Sequence, residues 1–71
     1  MTTRYAVLRE ELVRQINYLQ RTLGYTEDVE VAIDTLSDVE TQVGTDLSEE
    51  EGAIKISAQL RRLAPLVDVP F

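Results

Sequence analysis

An all-α fold, a small three-helix bundle, is what the 71 residues predict. Three observations carry that expectation. Apolar residues recur at steps of three and four along three separate segments, which is the period of one helical face. The first two segments each end at a glycine, Gly24 and Gly44. The third opens on Ser48-Glu49-Glu50-Glu51, a capping box in which serine and glutamate satisfy each other's orphan amides.

The first helix is expected over residues 4–23. Its stripe is Tyr5, Leu8, Leu12, Ile16, Leu19 and Leu23, with Thr2 or Thr3 as the cap. Gly24 should stop it in the left-handed conformation that glycine enters cheaply, turning Tyr25 back onto Leu19 or Gln20. The second helix is expected over 27–43, capped by Thr26, with Glu27 and Asp28 at the positive end of its dipole. Val29, Ala32, Leu36, Val39 and Val43 form its stripe. Its many β-branched residues lower intrinsic helicity, so a strand over 29–33 is the competing reading. The third helix is expected over 49–64, on the stripe Ala53, Ile56, Leu60, Leu63 and Val67. Pro65 cannot donate to the Arg61 carbonyl and should end it near Ala64, leaving Arg61 and Arg62 at the negative end. The apolar C-terminal tail, Leu66 to Phe71, is expected to dock. Two short connections favour antiparallel neighbours: a helical hairpin plus a third helix, in a single domain over 1–71.

Composition excludes several function classes. Without Cys or His there is no disulfide, no soft or imidazole metal ligand and no imidazole base. Ser37, Ser48 and Ser57 have no histidine to activate them, and Glu49–Glu51 is accounted for by capping. The chain is therefore expected not to be an enzyme and to use no cofactor. No stretch is long and apolar enough for a bilayer and no secretory signal is visible, so a cytoplasmic location without membrane binding is expected. A net charge of −6 argues against direct nucleic-acid binding.

Two motifs come close to known chemistry. Asp38, Glu40, Gln42, Asp46 and Glu49 fall at positions 1, 3, 5, 9 and 12 of an EF-hand-like loop, but Gly44 stands one place too late for its sharp turn. Asp34-Thr35-Leu36-Ser37 has the wrong order for an acyl carrier protein, whose modified serine directly follows aspartate. Neither predicts a site, and no family motif is carried.

Charge is unevenly distributed. Residues 26–52 hold ten carboxylates and no cation, whereas residues 1–25 and 53–71 each balance at +2. Glu30, Asp34 and Asp38 descend the face of the second helix opposite its stripe. Off the stripes lie Val7 and Tyr18 near Arg14 and Arg21, Val31 among the acids, and Ile54 and Ala58 near Arg61. A chain this short buries only about 60 % of its unfolded surface, which favours oligomerisation without requiring it. The leading expectation is a protein–protein interaction module that self-associates or docks on a larger assembly. Arg14, Tyr18 and Arg21 are its first contact candidates, followed by Ile54 and Phe71. The competing expectation is an acidic inhibitor or nucleic-acid mimic that meets a basic protein surface through Glu30, Asp34 and Asp38.

Overall fold

Hydroxyl caps start all three helices. The structure, a computed structural model, describes residues 3–67. Thr3 Oγ1 accepts from the Ala6 amide at 3.2 Å and opens α1 (Arg4–Leu23). Thr26 Oγ1 accepts from the Val29 amide at 3.3 Å and opens α2 (Glu27–Gln42). At α3 (Glu49–Val67) the capping box is complete: the Glu51 amide donates to Ser48 Oγ at 3.2 Å, and the Ser48 amide donates to Glu51 Oε1 at 3.3 Å. Val29 to Ile33 are helical, so the strand reading fails; periodicity over the whole segment outweighs the local β-branched preference.

The helices form a small all-α bundle, up-down-up. Arg9 of α1 pairs with Glu40 near the end of α2 at 3.2 Å, which sets α1 and α2 antiparallel. Thr35 Oγ1 donates to Gln59 Oε1 at 3.2 Å across α2 and α3. The starts of α1 and α3 lie together, with Tyr5 beside Glu49 and Ala53, so those two helices run parallel and share the largest interface. The core is built from the stripes: Leu12, Ile16 and Leu19; Val29, Ala32 and Val39; Ile56, Leu63 and Val67. Tyr5, Leu8, Leu36 and Leu60 are half-buried against it.

Four local expectations need correction. Gly24 has a positive φ of 81° but an extended ψ of −164°, so the chain leaves α1 directly instead of curling back. Leu23 and Tyr25 are consequently 54 % and 66 % exposed, and neither packs where the periodicity put it. α2 ends at Gln42, with Val43 extended as its cap. Here the Gln42 carbonyl gathers the amides of Thr45, Asp46 and Leu47 at 2.9–3.0 Å, while Gly44 turns at φ 96°. α3 does not stop at Ala64; it runs through Pro65 to Val67. Proline there forfeits one hydrogen bond, and burial of Val67 in the core offsets the loss. Arg61 and Arg62 are therefore not in its last turn. Of the tail expected to dock, Leu66 to Phe71, Leu66 is exposed and Val67 is buried as part of α3, while residues 68–71, Phe71 among them, lie outside the described residues.

One close approach was not foreseen. Gly52 is buried at the first turns of α3, where an added Cβ would stand 2.6 Å from Val43 Cγ2 and 3.2 Å from Tyr5 Cδ1. The absent side chain lets the end of α2 and the start of α1 close on α3 together.

Candidate interaction surface

Helical periodicity that buries one face of α1 necessarily turns another outward. Val7, Glu11, Arg14, Tyr18 and Arg21 follow each other at steps of four and three along that outer strip. Val7 is 52 % and Tyr18 45 % exposed. On α3 the matching strip is Ile54, Ala58, Arg61 and Pro65, with Ile54 58 % exposed. Because α1 and α3 are parallel neighbours, the two strips flank a shared trough. Its lower part is lined by Arg4, Ile54, Ser57, Ala58 and Arg61. Its upper part is lined by Glu11, Gln15, Ser57, Leu60, Arg61 and Ala64. Ser57 and Arg61 line both parts, so the two adjoin.

The trough has an unusual floor. Gln15 is only 6 % exposed, and its Oε1 has no hydrogen-bond partner. Its Nε2 reaches Glu11 Oε1 at a long 3.4 Å. The other buried amide, Gln59, accepts from Thr35 and is satisfied on that oxygen. A buried carbonyl without a donor costs about 1–3 kcal/mol, so Gln15 is a local cost to the fold beneath the trough.

The charged rim is only partly neutralised. Arg14 Nη1 meets Glu11 Oε2 at 2.8 Å, an exposed pair worth at most about 1 kcal/mol. Arg21 Nε donates to the Asn17 carbonyl at 3.4 Å, where a cation suits the end of α1. Arg4 and Arg61 have no carboxylate within 4.0 Å among the described residues. Arg9 lies away from the trough. Its hydrogen bond and attraction to Glu40 raise its pKa above an already high value, so the Arg9 side of this strap between α1 and α2 keeps its charge.

Of the residues singled out from sequence, Arg14, Tyr18, Arg21 and Ile54 share this composite α1/α3 face. Glu30, Asp34 and Asp38 are all exposed but belong to α2, on a separate face. Asp38 lines a groove with Lys55 and Arg62 of α3, though without an ion pair within 4.0 Å. Phe71 lies outside the described residues. Gln15 and Gly52 were missed. The period itself places Gln15 between Leu12 and Ile16 on the buried face, so position rather than polarity was the available signal.

Other chemistry finds little footing. The EF-hand-like span 38–49 is divided between the end of α2, a turn and the first residue of α3, and no group of three possible metal ligands is gathered among the described residues. No helix of the described residues is long and apolar enough to cross a membrane. Compared with known proteins, the chain matches no family model, no curated protein and no solved structure.

Proposed function

We propose that this chain is a non-enzymatic protein–protein interaction module that self-associates or docks on a larger assembly. Its contact surface is the outer α1/α3 face. One observation carries the reading: Val7, Tyr18 and Ile54 are each about half exposed on the outward strips of α1 and α3, beside a trough whose lining includes Arg4 and Arg61. Single exposed apolar residues are ordinary. Aromatic, aliphatic and arginine side chains sharing one face match the composition of contact surfaces.

Light scattering after size exclusion tests the self-association half. The chain should exceed its monomer mass of 8.0 kDa, and Tyr18→Glu with Ile54→Glu should return it to that mass with helicity unchanged. A mass of 8.0 kDa at high concentration for the unaltered chain contradicts self-association. Docking on an assembly is then judged by whether the same double substitution removes binding to that assembly.

A second reading has its own observation. Glu30, Asp34 and Asp38 are exposed on α2 with no cation within 4.0 Å among the described residues, which suits an acidic inhibitor or nucleic-acid mimic directed at a basic protein surface. Replacing the three with Gln or Asn should abolish such binding while leaving α2 folded. Retained binding eliminates this reading.

A further inference from the structure

We propose that the occupant of the α1/α3 trough is the acidic outer strip of α2 from a second copy of this chain, so that copies join head to tail. The proposal rests on the interaction reading above and specifies its partner.

Charge complementarity argues for it. Every cation of the chain lies in residues 1–25 or 53–71, and ten of the thirteen carboxylates lie between them. Folding places Arg4 and Arg61 at the trough and Glu27, Asp34 and Asp38 along the outer strip of α2. Trough against trough would set Arg4 and Arg61 against their own copies. Strip against strip would set carboxylate against carboxylate. Of these arrangements only α2 on α1/α3 brings opposite charges together, and like-charge juxtaposition is what suppresses wrong pairings.

Shape and polarity agree. Glu27, Val31, Asp34 and Asp38 step by four, three and four, spanning eleven residues or about 16 Å of helix. Val7 to Tyr18 and Ile54 to Pro65 span the same number of residues. Val31 is the exposed apolar residue within the acidic strip, and Ile54 is its counterpart at the trough. Because the two surfaces differ, the contact is heterologous; it propagates into chains or closes into rings rather than stopping at a dimer.

Sedimentation of two neutralised variants provides the test. One carries Glu27→Gln, Asp34→Asn and Asp38→Asn; the other carries Arg14→Gln, Ile54→Gln and Arg61→Gln. All six positions are exposed, and circular dichroism checks that both variants keep their helicity. The unaltered chain should grow beyond a dimer with concentration and fall back to 8.0 kDa in high salt. Each variant alone should associate roughly 10- to 100-fold more weakly. Mixed, they should form a one-to-one pair that grows no further, because each supplies the face the other lacks. If the acidic-face variant assembles like the unaltered chain, head-to-tail pairing is wrong while the α1/α3 interface survives. If the mixture fails to pair, head-to-tail pairing is also wrong. If the unaltered chain never exceeds 8.0 kDa, both this inference and the self-association half of the interaction reading fall.

Discussion

Gly52 and Gln15 show what single residues contribute beyond the stripes. Alanine at position 52 would gain helix propensity of up to about 1 kcal/mol, yet its Cβ would stand 2.6 Å from Val43 Cγ2. Overpacking typically costs about 1–3 kcal/mol, so Gly52→Ala should lower stability in urea unfolding despite the better propensity. Adding Val43→Ala should recover much of the loss, because the two substitutions act on one contact. Gln15→Leu should act in the other direction. It removes an acceptor without a donor and should stabilise the isolated chain by about 1–2 kcal/mol, seen as a raised urea midpoint. Neither effect was legible in the sequence. A glycine in a helical segment states no reason for itself until its neighbours on other helices are known. A glutamine at a core-facing position looks like an ordinary polar residue until its partner is found to be missing.

Elements were far more legible than their ends. Residues spaced three and four apart must share a helical face, and hydroxyls ahead of those faces satisfy the first amides, so the three helices and their starts followed from local chemistry. Ser48→Ala removes the acceptor of the Glu51 amide and should cost about 1 kcal/mol of thermal or urea stability. The C-terminal ends were less legible because tertiary burial decides them. Val67 draws α3 past Pro65, and the extended ψ of Gly24 releases Tyr25 into solvent. On α2, Asp34 lies four residues from both Glu30 and Asp38. Asp34→Asn should relieve both repulsions and stabilise the fold by about 0.4–1 kcal/mol, and the gain should shrink as added salt screens the charges. A gain that persists unchanged in high salt would point away from like-charge repulsion.

At the scale of the whole molecule, the sorting of charge along the chain becomes a sorting of charge over the surface. The segregation itself is plain in the sequence, and so are the outward Val7, Tyr18 and Ile54. What the sequence left open was which of them meet. That depended on α1 and α3 being parallel neighbours, which brings the outward strips of those two helices onto one side of the bundle, apart from the acids of α2. Leu23 and Tyr25 are exposed too, but at the end of α1 and in the following turn, beyond the trough. They provide an internal control for the most direct measurement, side-chain footprinting of the chain in dilute and in concentrated solution. Labelling of Val7, Tyr18 and Ile54 should slow on concentration while Leu23 and Tyr25 keep their rates. Equal labelling of Val7, Tyr18 and Ile54 at both concentrations, or a uniform slowing that includes Leu23 and Tyr25, would contradict self-association through the α1/α3 face.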